Sequence, residues 1–228
     1  MAFSLAGLAA DAARRWREPA TRAVSRVIPT DVLWFADTSR PVFALTFDDG
    51  PSPECTPGLL AVLARHRAHA TFFLIGERVR GHPDLVAAIA AAGHELGNHL
   101  MRDEPSVLVP DDRFRRELAA VNALLRPYGP VRWFRPGSGW FTPRMLRSAA
   151  RHDLRAALGT LVAAHQGGPA DDRIARDLLA GIRPGSIVVL HEGTARRRGV
   201  VATTDELLAA LAERGLSAVT LSELVAAS

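Results

Sequence analysis

The chain has 228 residues, enough to bury one hydrophobic core of ordinary size, and its 48% hydrophobic and 23% charged residues exclude a disordered protein. The net charge of +4 and the isoelectric point of about 10.7 overstate its basicity, because all 28 basic residues are arginine and lie scattered among 24 acidic residues. No basic stripe interleaved with aromatic residues is present, which argues against a nucleic-acid partner, and the single cysteine, Cys55, excludes an intrachain disulfide. The densest basic run, Arg196–Arg198, is predicted to be a solvated loop, with contact to an anionic substrate as the alternative.

Residues 1–35 lie before the first regular alternation of strands and helices, and we predict that they form a helical extension. The initial apolar run has no positive segment before it and is broken by Asp11, with Arg14 and Arg15 close behind, so it is unlike a signal peptide or a membrane span. We therefore expect an amphipathic helix, then one domain over residues 36–228, a cytoplasmic location and no membrane partner.

From residue 42 onward, apolar runs typical of strands alternate with stretches of helical spacing. Strands are predicted over residues 42–47, 71–75, 95–97, 131–134, 154–158, 186–190 and 217–220. Helices are predicted over residues 57–66, 83–92, 111–125, 142–152, 171–180 and 203–214, with a short helix at the end. This alternation predicts an α/β fold with a parallel sheet or barrel of about seven strands.

Polar residues follow several of the predicted strands at once. Asp48 and Asp49 end the first strand, His99 and Arg135 follow two others, and His191 ends the strand over residues 186–190. Because a parallel barrel places its catalytic groups at the carboxyl ends of its strands, these five side chains are expected to share one site.

The segment Thr46–Pro51 places two carboxylates side by side after an apolar strand. Adjacent residues at a strand end point in different directions, so one carboxylate can bind a metal while its neighbour faces a water molecule. The alternative is a surface turn, since Asp-Gly and Gly-Pro both favour turns.

His99 and Asp103 are four residues apart, a spacing that puts both on one face of a helical turn. A surface His–Asp pair is the alternative. Together with Asp49 they offer three nitrogen and oxygen ligands, which would leave positions open on Zn²⁺ for water and substrate; Mn²⁺, Co²⁺ or Fe²⁺ would also be accepted.

His191 ends the apolar run 187–190 and is a candidate general acid, with a structural histidine at the barrel rim as the alternative. The sequence lacks the motifs of two other classes, the serine hydrolases with a nucleophile elbow and the proteins with a phosphate-binding loop. Ser138 is not in a G-x-S-x-G elbow, and a chain without lysine has no phosphate-binding G-x-x-x-x-G-K loop.

The combination resembles the polysaccharide deacetylase family, which shares the NodB homology domain and is also called carbohydrate esterase family 4. The resemblance covers roughly residues 40–225 and implies a distorted parallel (β/α) barrel. Thr46–Gly50 matches the first family motif unchanged, which implies that Asp48 is the general base and Asp49 a metal ligand. Gly97–Asp103 resembles the second motif, with Leu100 in place of Ser or Thr and Asp103 in place of the second His ligand.

The remaining motifs match unevenly. Arg135 stands in the third motif and by resemblance orients Asp48. Gly137 and Ser138 stand where this motif has a second Pro and an aromatic residue, so the sugar-facing aromatic is missing unless Trp140 replaces it, and a backbone N–H near Ser138 would supply the oxyanion donor. The fourth motif lacks its carboxylate, and His165 falls near that position without an assigned role. His191 matches the fifth motif.

The resemblance implies a metal-dependent hydrolase that removes N-linked acetyl groups from a carbohydrate, with the catalytic domain over residues 36–228. Two alternatives stay open at this point. One is hydrolysis of a small non-sugar amide or imide, and the other is a non-catalytic carbohydrate-binding protein. The sequence does not specify the oligomeric state.

Overall fold

The computed structural model describes residues 32–168 and 171–228. Residues 1–31 of the predicted helical extension lie outside this part of the chain, and within the last four residues of that extension Val32–Leu33 form a strand of the sheet. In the described part, one curled, all-parallel sheet runs in the order β1-β6-β5-β4-β3-β2-β8-β7, and β9 pairs with the start of β2. The strands are β1 (Val32–Leu33), β2 (Val42–Gly50), β3 (Thr71–Leu74), β4 (Glu95–Asn98), β5 (Val131–Phe134), β6 (Arg155–Ala157), β7 (Leu161–Val162), β8 (Ile187–His191) and β9 (Ser217–Val219). This confirms the predicted parallel barrel-like α/β fold.

Helices connect the strands and cover the sheet. They are α1 (Thr56–His66), α2 (Gly76–Gly81), α3 (Pro83–Ala91), α4 (Asp111–Leu125), α5 (Pro143–Ala150), α6 (Ile174–Leu179), α7 (Gly199–Glu213) and α8 (Leu221–Ala226). Short 3₁₀ turns at Ser106–Leu108, Gly137–Gly139 and Ala195–Arg197 lie in loops beyond the strands. None of the helices in the described ranges is long and apolar enough to cross a bilayer.

The central strands are almost wholly buried. Every residue of β3 is buried, as is every residue of β2 after Val42, because a parallel sheet inside an α/β fold is covered on both faces. Phe47 and Phe72 stack across neighbouring strands with their ring centroids 5.0 Å apart. This packing fixes the positions of the strands whose carboxyl ends carry the candidate site residues.

The structure departs from the predicted elements at several places, and helix α2 was not predicted. The two-residue strands Val32–Leu33 and Leu161–Val162 were not predicted, because two residues carry no periodic signal and pairing with β6 and β8 defines them. Helix α7 begins at Gly199, four residues before the predicted start, directly after a 3₁₀ turn. Strand β2 continues to Gly50 and so includes both aspartates.

Candidate active site

The register of the sheet brings the predicted site residues together. Asp48 of β2 is the direct partner of His191 in β8. Asn98 of β4 is paired with Phe134 of β5, so the residues that follow them, His99 and Arg135, are also neighbours. The carboxyl ends of four strands therefore converge on one cleft of about 390 Å³, a volume in the range of small-molecule sites.

Asp48 is held by a buried arginine. Nη1 of Arg135 donates to Oδ1 of Asp48 at 2.7 Å and to the hydroxyl oxygen of Thr46 at 2.7 Å. The same guanidinium donates through Nε to the carbonyl of Ala157 at 3.0 Å and lies 4.0 Å from the centre of the Phe73 ring. Such a network fixes the orientation of the carboxylate and compensates its burial.

The second oxygen of Asp48 faces His191. Oδ2 lies 3.9 Å from Nε2 of His191, too far for a hydrogen bond but close enough for a reacting group to contact both. On the other side of the imidazole, Nδ1 lies 2.9 Å from the carbonyl oxygen of Ala163. A carbonyl oxygen only accepts, so Nδ1 carries a proton and Nε2 is the atom that exchanges protons in the cleft.

Asp49 and His99 form a second buried pair. Oδ1 of Asp49 lies 3.2 Å from Nε2 of His99, and Nδ1 of His99 donates to the carbonyl of Arg135 at 2.7 Å. Two atoms bound to one zinc ion are about 3.0–3.5 Å apart, so this pair fits two ligands of a single metal. The outer hydrogen bond leaves Nε2 as the ligating nitrogen, as in most histidine metal sites.

The surrounding groups shift the pKa values of both Asp49 and His99. Burial alone would raise the pKa of Asp49, but the hydrogen bond from His99 and the charges of His99, His191 and Arg197 hold it well below its ordinary value. Burial alone would lower the pKa of His99, but the hydrogen bond to Asp49 and the charges of Asp48 and Asp49 raise it. The carboxylate is thereby kept ionised, as a metal ligand must be.

Asp103 stands apart from the other two predicted ligands. It lines the same cleft, but its side chain is 52% exposed and its carboxylate meets Nη2 of Arg78 at 3.5 Å. Within residues 32–168 and 171–228, no three His, Cys, Asp or Glu side chains are grouped to hold a metal ion. The structure thus joins Asp49 and His99, whereas a ligand role for Asp103 stays a prediction.

Two arginines that the sequence reasoning did not assign to the site contact Asp49. Arg197 donates to Oδ2 of its carboxylate, and Arg78 donates to its main-chain oxygen. Arg197 belongs to the arginine run that was predicted to be solvated. Its position six residues after His191 is the sequence feature that could have indicated a place near the site. The backbone of Asp49 is itself in the left-handed region, with φ of 69°, a conformation that clusters at functional sites.

The loop after β5 forms another wall of the cleft. Ser138 is exposed with φ of 64°, and the neighbouring N–H of Gly137 donates to the hydroxyl of Ser106 at 2.7 Å. Trp140 is 71% exposed and is not among the residues that line the cleft. His165, by contrast, is buried and bonded through Nε2 to the hydroxyl of Thr203 at 2.8 Å, outside the cleft lining.

Comparison with known sequences identifies the family. The sequence model described as polysaccharide deacetylase matches residues 35–157, more than half of the chain. The chain belongs to the polysaccharide deacetylase family. This confirms the resemblance and the expected class of hydrolase; His191 and Arg197 lie beyond the matched segment.

The relatives include deacetylases and an acetyl xylan esterase. A chitooligosaccharide deacetylase of Bradyrhizobium sp. (strain ANU 289) is 40% identical over 152 residues, which cover 65% of this chain and 69% of the relative. A crystal structure of a peptidoglycan N-acetylglucosamine deacetylase superposes with a TM-score of 0.80 at 27% identity, covering 90% of this chain and 97% of the other. A family 4 acetyl xylan esterase from Clostridium thermocellum, solved with a cobalt ion, has a TM-score of 0.74 at 29% identity, covering 81% of this chain and 90% of the other.

Proposed function

We propose that this chain hydrolyses the N-acetyl amide of a carbohydrate with the help of a divalent metal ion, in the first place Zn²⁺. One observation carries the proposal: Asp48, fixed by Arg135, faces His191 across 3.9 Å beside the Asp49–His99 pair. A base, an acid and two potential ligands therefore line one cleft. The deacetylases among the relatives support an acetylated sugar as the substrate.

Asp49 and His99 would hold the metal, with Asp103 as a third ligand after its side chain turns inward from Arg78. When bound, a divalent cation lowers the pKa of a coordinated water and polarises the acyl oxygen. This chemistry fits the donor set, since a carboxylate and an imidazole are common ligands of Zn²⁺ and Co²⁺.

Asp48 and His191 would transfer the protons in this reaction. Asp48 is placed to take a proton from the attacking water, because Arg135 leaves its Oδ2 directed into the cleft. His191 is placed to deliver a proton from Nε2 to the departing nitrogen, since its Nδ1 is fixed on the carbonyl of Ala163. The main-chain N–H of Ser138 would stabilise the oxyanion, because the neighbouring amides of Gly137 and Gly139 already donate to protein oxygens.

Substrate contact would extend beyond the residues that line the cleft. The exposed ring of Trp140 offers an apolar face of the kind on which sugar rings stack, and Leu108, in the neighbouring 3₁₀ turn, is 75% exposed. Exposed apolar side chains next to the loop that walls the cleft favour a sugar ring over a small amide as the substrate. We therefore place the carbohydrate ring against Trp140 and its N-acetyl group next to Asp48.

The test is acetate release from N-acetylated chitooligosaccharides by the metal-loaded protein. Asp48→Asn should abolish turnover and keep the metal, whereas His99→Ala should lose the metal on elemental analysis. Asp172→Asn, an exposed carboxylate outside the cleft, is the matched control and should keep both. Sugar binding without acetate release at saturating metal would contradict the proposal and favour a non-catalytic protein, and turnover of small amides or imides alone would contradict the sugar assignment.

A further inference from the structure

The guanidinium of Arg197 joins two parts of the site. Its Nη1 donates to Oδ2 of Asp49 and, at 2.8 Å, to the main-chain oxygen of Glu192, the residue after His191. The Arg197 side chain is only 20% exposed, although it lies in the 3₁₀ turn Ala195–Arg197 of a surface loop. This arginine thereby ties the end of β2 to the end of β8.

The two oxygens of Asp49 have different partners. Oδ2 is taken by Arg197, whereas Oδ1 faces Nε2 of His99 at 3.2 Å. A cation shared by Asp49 and His99 would meet Oδ1, the oxygen that Arg197 leaves free, although Arg197 also lines the cleft. Hydrogen bonds of this kind orient metal ligands and increase their affinity.

We propose that Arg197 is a positioning residue that locks the Asp49 carboxylate so that Oδ1 alone is presented to the metal beside His99. The inference rests on the proposed metal site. The planar guanidinium suits the task, because it can donate to a carboxylate and a carbonyl at once without competing as a ligand. Arg78 complements it by donating to the main-chain oxygen of Asp49, which fixes the backbone of the same residue.

Positioning of the Asp49 carboxylate by Arg197 and competition of Arg197 with the metal predict opposite changes in metal affinity. If the ion pair instead competed with the metal for the carboxylate, removing Arg197 would tighten metal binding. If Arg197 positions the carboxylate, removing it should weaken binding by roughly 10- to 100-fold, the usual effect of losing an outer partner.

The experiment measures the dissociation constant of Co²⁺ by titration against a chromophoric chelator, and records the Co²⁺ absorption spectrum as a probe of ligand geometry. Arg197→Gln should weaken binding by about 10- to 100-fold and change the spectrum. Arg197→Lys should recover part of the affinity, since it restores the charge without the planar fork. Arg196→Gln, which removes the exposed preceding arginine of the same run, is the matched control and should leave both unchanged.

Unchanged or tighter Co²⁺ binding by both Arg197 variants would overturn the inference. His99→Ala distinguishes this failure from failure of the proposed function. If His99→Ala loses Co²⁺ and Arg197→Gln does not weaken its binding, only the role of Arg197 is wrong. If His99→Ala binds Co²⁺ as tightly as the unmodified chain, the metal site itself is wrong.

Discussion

Replacing Glu192 by Gln tests how strongly the interior beside the site disfavours a charge. Glu192 is fully buried, and one carboxylate oxygen, Oε2, accepts a hydrogen bond from the hydroxyl of Thr56 at 2.6 Å. The other oxygen, Oε1, has no hydrogen-bond partner among the described residues. Burial raises the pKa of Glu192 from 4.5 to about 8, although the hydrogen bond from Thr56 and the charge of Arg78 act in the opposite direction.

The consequence for stability has a definite sign. Between pH 4.5 and about 8, folded Glu192 keeps a proton that the unfolded chain releases, so the free energy of unfolding falls as the pH rises through this window. The slope is roughly 1.4 kcal/mol per pH unit, which amounts to a loss on the order of 5 kcal/mol across the window. Gln cannot ionise, so the free energy of unfolding of Glu192→Gln should rise relative to that of the unmodified chain as the pH increases through this window. Above about pH 8 the difference should stay constant.

Urea unfolding of both proteins without metal, followed by circular dichroism from pH 5 to pH 9, measures this difference. Any constant cost of the amide group appears at every pH and leaves the slope unchanged. Glu206→Gln, at an exposed position of α7, is the matched control and should show no pH-dependent gain. A difference between Glu192→Gln and the unmodified chain that stays constant from pH 5 to pH 9 would refute the reasoning.

Three further predictions concern the site. Arg135→Met should cost about 3–5 kcal/mol in the free energy of unfolding by urea, because it leaves the buried carboxylate of Asp48 without its cation; Met retains much of the volume, so a loss below 1 kcal/mol would show that the pair is not stabilising. Gly193→Ala should lower both thermal stability and deacetylation, since Gly193 has φ of 96° and an added Cβ would overlap the main-chain oxygen of Asp49; an unchanged melting temperature would contradict this. Trp140→Ala should raise KM for chitooligosaccharides several-fold with kcat largely retained, and an unchanged KM would remove Trp140 from the binding site.

The sequence by itself determined the parts of this protein that depend on local pattern. Apolar runs separated by helical stretches specify a parallel α/β sheet, and strand β2 carries Asp48 and Asp49 directly behind a buried segment. His191 follows the same rule at the end of β8. Since parallel strands end at one edge, their convergence followed from the topology before any side-chain contact was known.

The tertiary structure alone decided which partners these residues meet. Arg197 reaches Asp49 across 148 positions of sequence, and Ala163, 28 residues before His191, supplies the carbonyl for its Nδ1. Neither contact leaves a local signal, because a guanidinium or a backbone carbonyl can serve many roles and only the path of the loops brings it to the site. The same holds for Asp103, whose spacing from His99 fits a shared ligand set while its side chain turns toward Arg78.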